Sequence, residues 1–272
     1  MKAQRTCKVR KRLPDNDVLI YFSFITTIPE RNAIAGKPMF ELVGFDADDT
    51  LWRSQDYFDD AQARFEAIVG RYVDLADAEL HDRTLATERR NIKLFGYGVK
   101  GMVLSMIETA VAITDARISA GDIHRLVDLG KEILQHPVEL LPGVRTAVEA
   151  VAEHHPLVLI TKGDLFHQEA KVRASGLSEL FHRIEIVSEK DPPTYARVLG
   201  ECGVAANAFV MVGNSLRSDI APVLALGGYG VHVPYYLTWA LEAEADLGAD
   251  VTRLRTVSEP VGIAAAIRGF SG

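Results

Sequence analysis

Leu157-Val158-Leu159-Ile160-Thr161-Lys162-Gly163-Asp164 sets an unbroken apolar run against a polar, glycine-containing stop. Strands of a parallel sheet are covered on both faces, so they read as continuously apolar rather than alternating. The run predicts such a strand. Phe209-Val210-Met211-Val212 has the same character, and Leu42–Phe45, Ile184–Val187 and Tyr229–Val233 are further short apolar runs. Helix-length segments are expected between them at Gln168–Ser175, Pro193–Glu201 and Ser218–Ala225. Pro142-Gly143 opens another, Val144–Glu153, which leads into Leu157. Strands alternating with helices indicate βαβ units. The expected fold is α/β, a doubly wound parallel sheet of Rossmann type.

One interval interrupts the alternation. Between Trp52 and Leu141 only helical periodicity is present, over Tyr57–Tyr72, Asp77–Phe95, Val99–Ala112 and Asp122–Gln135. This predicts an all-α unit inserted after the first strand. The expected organisation is an N-terminal extension at 1–39, a core at 40–53 and 141–272, and a helical unit at 54–140.

Composition narrows the class. The chain has 272 residues, 48% hydrophobic and 25% charged, which is ordinary globular usage and excludes disorder, collagen and a coiled-coil rod. Thirty basic against 37 acidic residues give −7, which argues against a general nucleic-acid binder. No run reaches the ~18 apolar residues of a membrane span. Cys7 and Cys202 are too few for a disulfide framework or a cysteine-built zinc site. The head is distinct: Lys2, Arg5, Lys8, Arg10, Lys11 and Arg12 precede an apolar stretch at Val18–Ile28 and an Ala33-Ile34-Ala35 site. That order mimics a secretory signal, but Asp15 and Asp17 interrupt its basic region. The arm is read as an appended, solvated tail on a cytoplasmic protein, with export and cleavage after Ala35 as the alternative.

The chemistry collects at strand ends. Phe45-Asp46-Ala47-Asp48-Asp49-Thr50-Leu51-Trp52 places three carboxylates in four residues where the first strand stops. Buried carboxylates are costly unless something cationic gathers them, and a divalent cation such as Mg²⁺, held by a few oxygens plus water and substrate phosphate, would offset that cost. A helix-capping acidic turn is the plainer alternative. Thr161 and the Gly163 turn end the second strand, where free backbone N–H groups form an anion nest. Lys190 follows the third strand, and Val212-Gly213-Asn214-Ser215-Leu216-Arg217-Ser218-Asp219 follows the fourth. Each taken singly is an ordinary turn, surface or cap residue. Their succession at consecutive strand ends is what points to a site, because ligands of open α/β sheets sit beyond the carboxyl ends of the strands.

DxDxT, then Thr, then Lys, then GNxxxxD resembles the haloacid dehalogenase (HAD) superfamily of phosphatases and phosphotransferases, over Phe40 to the C-terminus. The wording of Phe45–Trp52, with Leu141-Pro142-Gly143-Val144 and Thr161–Asp164, looks most like a bacterial branch of small-molecule phosphatases. The resemblance implies Asp46 as nucleophile, Asp48 as acid/base, Thr161 and Lys190 as phosphate binders and Asp219 as a metal-site carboxylate. Asn214 stands where the family usually has Asp, so Asn214 and Asp219 compete for the third metal contact, beside Asp46 and Asp48. The charge favours Asp219. The helical insert falls where the family carries a C1-type cap.

These roles imply a Mg²⁺-dependent phosphatase acting on a small phosphate monoester through an aspartyl-phosphate, as a monomer or homodimer with no nucleic-acid or membrane partner. A carboxylate approaching a phosphate dianion meets about 4 kcal/mol of repulsion per charge pair at ~4 Å and an effective dielectric of ~20. Mg²⁺ and Lys190 would cancel it, while the Thr161 hydroxyl and the Lys162 N–H hold the nonbridging oxygens. Family members that displace halide generally lack an acid at the second aspartate, so Asp48 points to an oxygen leaving group and away from dehalogenation. A phosphosugar mutase or phosphotransferase of the same fold, or a catalytically weak binding protein, are the alternatives.

Gly96-Tyr97-Gly98-Val99-Lys100-Gly101 fits G-x-G-x-x-G, but a helical pattern rather than a strand precedes it, so a turn between helices is expected rather than a dinucleotide site. Arg89, Arg90, Lys93, Tyr97 and Lys100 are candidates to face the leaving group, or else a solvated face. Met102, Leu104, Met106 and Ile107 are expected in the helical core.

Overall fold

The computed structural model describes residues 39–242, 247 and 252–271, so the basic arm and the site after Ala35 lie outside the described residues. Six strands form one sheet: β1 (Leu42–Phe45), β2 (Leu157–Lys162), β3 (Arg183–Val187), β4 (Phe209–Gly213), β5 (Tyr229–His232) and β6 (Leu254–Thr256). Their order is β3-β2-β1-β4-β5-β6, and every pairing is parallel. This is the expected doubly wound sheet. Phe45 lies beside Leu159 of β2 and Val212 of β4, so these three strands end at one rim. The order reverses between β1 and β4, which opens a crevice there.

Alternate residues of each strand feed opposite layers. Val43, Phe45, Leu157, Leu159, Val210 and Val212 pack on one face against α6 (Val144–Ala152) and α10 (Ile263–Arg268). Leu42, Val158, Ile160, Phe209 and Met211 face α8 (Pro192–Cys202) and α9 (Ala221–Ala225). Both faces are covered, which is why β1, β2 and β4 carry no polar alternation. Side-chain caps set several helix starts. Asp164 accepts from His167 N ahead of α7 (Leu165–Ser175), Asp191 accepts from Thr194 N ahead of α8, and Ser119 accepts from Asp122 N ahead of α5 (Ala120–Gln135).

The insert is helical, with α1 (Gln55–Val69), α2 (Leu75–Ala78), α3 (Leu80–Phe95) and α4 (Val99–Ile113) preceding α5. It has its own core, in which Phe65, Val69, Met106, Ala110, Leu126 and Leu129 are buried. The two chain segments that enter and leave it are bonded together: Arg53 N donates to Glu139 O at 3.0 Å and Leu141 N to Leu51 O at 2.9 Å.

Several local expectations change. The helix anticipated over Asp77–Phe95 breaks at Glu79, whose left-handed backbone (φ 48°, ψ 41°) separates α2 from α3. The one anticipated over Ser218–Ala225 starts instead as a π turn, Leu216–Ile220, before α9. β6 and α10 had no signal, since Leu254-Arg255-Thr256 is a short, partly exposed edge strand. Met102 and Met106 are buried and Ile107 packs against them, but Leu104 is 46% exposed and lies outside the helical core.

Because the helical core is separate from the two sheet layers, Leu126→Ala should cost about 2–5 kcal/mol. Hydrogen exchange should place the loss in α1, α4 and α5 and leave the β1 and β4 amides protected.

Candidate active site

Asp46 leaves the end of β1 with its N–H on Val212 O at 2.9 Å, so the register of the sheet fixes where its side chain begins. Lys190 Nζ donates to Asp46 Oδ1 and, at 2.7 Å, to Asp219 Oδ1. All three groups are buried, Asp219 to 1% exposure. The Thr50 hydroxyl donates to Asp46 Oδ2 at 2.8 Å and accepts from Asn214 N at 3.0 Å. Asn214 Oδ1 lies 3.2 Å from the same hydroxyl, one group removed from Asp46. Ser215 N donates to Asp219 Oδ2 at 3.0 Å.

The π turn brings Asp219 back over Gly213, where an added Cβ would lie 2.2 Å from Asp219 Oδ2. Only a residue without a side chain permits that approach. π turns are rare and favour functional positions.

Charge in this cluster is out of balance. Burial opposes the Lys190 ammonium, but Asp219 and then Asp46 outweigh it and hold the group above the ordinary lysine range. One ammonium does not neutralise two carboxylates. Burial, followed by the charge of Asp46, pushes the Asp219 carboxyl up to about 7 against the pull of Lys190.

Asp48 occupies a different environment. It accepts from Lys171 Nζ at 2.5 Å, Trp52 Nε1 at 2.6 Å and Gln168 Nε2 at 3.1 Å. Burial would raise its carboxyl, yet Lys171 first and then these donors bring it below the usual range. Gln168 Nε2 also donates to the Thr161 hydroxyl at 2.7 Å, which ties the end of β2 to Asp48. Asp49 is the capping acid. Its Oδ1 accepts from Ser54 N at 2.8 Å and Gln55 N at 3.0 Å at the start of α1, from a left-handed backbone with φ 62°. Burial and then neighbouring Asp48 push it up to about 7.

The structure therefore brings Asp46, Lys190 and Asp219 into direct contact and places Asn214 next to them through Thr50. Asp48 and Thr161 form a second group around Gln168. The Lys162 side chain belongs to neither, since its Nζ meets Ser218 Oγ at 2.8 Å, Glu242 and, at 3.4 Å, Glu189. Among the helical candidates, Tyr97 and Lys100 reach the sheet domain, through Glu189 at 2.6 Å and Asp164 at 2.9 Å. Arg90 lies 3.6 Å from Glu108 of its own unit, and Arg89 and Lys93 are exposed. Sequence reasoning gave no role to Thr50, Gln168 or Lys171. Gln168 and Lys171 stand three apart on α7 and are both buried, and two polar groups on a core-facing stripe were the available signal.

Among the described residues, no three His, Cys, Asp or Glu side chains gather as a metal cage. The oxygens that converge are those of Asp46 and Asp219, with the Asn214 amide nearby. Mg²⁺ is commonly bound through one or two carboxylates plus substrate phosphate rather than by an all-protein cage. The oxygen-only donor set and its unneutralised charge fit that ion.

Gly213→Ala is expected to move the Asp219 carboxylate off Lys190 and to destabilise the protein by about 1–3 kcal/mol. In a background of Asp219→Ser the same methyl should cost much less, a coupling that urea unfolding of the four proteins would reveal.

The family model described as haloacid dehalogenase-like hydrolase matches residues 40–227. A haloacid dehalogenase-like family hydrolase from Xanthomonas campestris is 55% identical, with a TM-score of 0.78 over 86% of this chain and 97% of its own. A 2-haloacid dehalogenase from Pseudomonas syringae pv. Tomato shares 21% identity at a TM-score of 0.55, over 86% and 100% of the two chains. A Thermotoga maritima structure, provisionally a beta-phosphoglucomutase, shares 19% identity at 0.55, over 85% and 99%. The last two show the common fold alone. No curated protein gives a significant match. The matched model spans the strand ends that carry Asp46, Thr161, Lys190 and Asp219, and the chain belongs to the haloacid dehalogenase-like hydrolases.

Proposed function

We propose that this hydrolase is a Mg²⁺-dependent phosphatase that cleaves a small phosphate monoester through an aspartyl-phosphate on Asp46, as a cytoplasmic monomer or homodimer. The observation that carries the reading is the second aspartate. Asp48 is an acid two residues beyond Asp46, held by Lys171, Trp52 and Gln168. A halide leaves without a proton, whereas an alkoxide needs one, so a positioned carboxyl here suits oxygen as the leaving atom.

The ester's phosphate takes its place against Asp46, with the Thr161 hydroxyl and the Lys162 N–H on its nonbridging oxygens. Lys190, released from one carboxylate, turns its charge to the phosphate. Asp46 and Asp219, with the Asn214 amide, would hold Mg²⁺, which supplies neutralisation between the nucleophile and the phosphate dianion. An Asp46 oxygen then attacks phosphorus and the ester P–O bond breaks. Asp48 donates its proton to the departing alkoxide, because the nearby dianion raises the Asp48 carboxyl by like-charge repulsion. In the second step Asp48, again ionised, takes a proton from water as that water attacks phosphorus. The Asp46–phosphate bond breaks and inorganic phosphate leaves. Splitting one hard displacement into two is the gain of covalent catalysis, and proton transfer of this kind contributes about 10²–10⁴-fold. The helical unit at 54–140 serves as the cap that excludes water from the acyl-phosphate.

Asp46→Asn should abolish turnover of p-nitrophenyl phosphate, and EDTA should do the same reversibly; activity surviving both would refute the mechanism. Asp48→Asn should slow alkyl phosphates by about 10²-fold or more. It should slow formation of the phosphoenzyme from p-nitrophenyl phosphate far less, since that leaving oxygen is already acidic. A rapid burst of nitrophenol followed by slow turnover would report this, and equal losses on both substrates would remove Asp48 from the proton-transfer role.

A further inference from the structure

The glycine-rich turn between α3 and α4 forms one wall of a small pocket, with room for about one water-sized group, that Trp239 of the sheet domain also lines. The turn is tightly drawn: Gly96 and Gly98 have positive φ (75° and 110°), and a Cβ on Gly101 would stand 2.9 Å from Gly96 O. Tyr97 and Trp239 meet edge to face with ring centroids 6.0 Å apart. Glu88 reaches the same pocket from α3.

Glu88 is the anomaly. Among the described residues no donor meets its carboxylate, and Ser105, which also lines the pocket, already donates its proton to Gly101 O at 2.8 Å. Burial alone pushes the Glu88 carboxyl up to about 7. Partly buried polar groups normally find partners, so an unanswered carboxylate facing a cavity asks for a donor from outside. The aromatic walls narrow the choice, because a cation is attracted to the face of Trp or Tyr. Tyr97 demonstrates this within the chain, with Lys162 Nζ 4.4 Å from its ring centroid. The Lys162 charge is paired with Glu242 and Glu189, which offsets its repulsion of a second cation. The pocket is also linked to the reacting end: the Tyr97 hydroxyl donates to Glu189 at 2.6 Å, and Glu189 precedes Lys190, which holds Asp46.

We propose that Glu88, Tyr97 and Trp239 form a subsite for an ammonium group on the leaving alcohol, so that the substrate is a short amino-alcohol phosphate. This rests on the phosphatase reading, and the experiment separates the two. The full chain with Mg²⁺ is assayed on phosphoethanolamine, on uncharged 2-hydroxyethyl phosphate, on anionic phosphoglycolate and on p-nitrophenyl phosphate. The amine should exceed its uncharged counterpart at least tenfold in kcat/KM, with the anion lowest. Glu88→Gln should remove that preference through KM and leave p-nitrophenyl phosphate turnover unchanged. Equal or better turnover of the uncharged or anionic ester, or a preference that survives Glu88→Gln, overturns the subsite while the phosphatase stands. If p-nitrophenyl phosphate is not hydrolysed either, the phosphatase reading falls and binding decides the subsite. Saturable quenching of Trp239 fluorescence by ethanolamine, lost in Glu88→Gln and in Trp239→Phe, would sustain it, and no quenching would overturn it.

Discussion

One buried ammonium joined to two buried carboxylates organises the rim of the sheet. Lys190 links the end of β3 to Asp46 beyond β1 and to Asp219 beyond β4. Taking such charges out of water is costly, and removing one partner from a buried set typically loses about 3–5 kcal/mol. The arrangement is tolerable because each atom is answered: Thr50 and Ser215 N supply the donors that Lys190 cannot. Yet two carboxylates share one ammonium, and that imbalance would favour a further cation at the rim.

The sheet converts this local chemistry into geometry. Parallel register puts Asp46 level with Gly213 and Thr161 one residue further out, and the reversal of strand order leaves the space between β1 and β4 open. The second carboxylate of the DxD pair is governed from elsewhere, by two buried polar residues of α7. Asp46 and Asp48 are thus near neighbours in sequence with opposite surroundings, one short of positive charge and the other well supplied. Separated environments of this kind are how a pair of acids takes on different roles.

What could be read from the sequence follows physical lines. β1, β2 and β4 were legible because burial on both faces leaves an uninterrupted run, as in Leu157–Ile160, and the edge strand β3 kept enough apolar residues around Glu185 to be found. β6 was not, because an edge strand needs no such run and Arg255 and Thr256 are exposed. The break at Glu79 rests on one left-handed residue that lacks the usual glycine, so no local signal marked it. Asp46, Thr161, Lys190 and Asp219 could be located because strand ends are where chemistry collects. The partners of Asp48 could not, since Lys171 stands 123 residues away and only packing of α7 against the rim brings it near.

The antiparallel bonds between residues 51–53 and 139–141 mean that the helical insert enters and leaves the core through two chain segments lying side by side. Its two ends are adjacent, and the main-chain ladder beneath them belongs to neither end alone. A graft of a different helical module at this junction would need to match only the spacing of two touching chains. Evolution of new specificities in such a scaffold can therefore proceed by wholesale exchange of the upper storey, without re-laying the foundation on which bond cleavage depends.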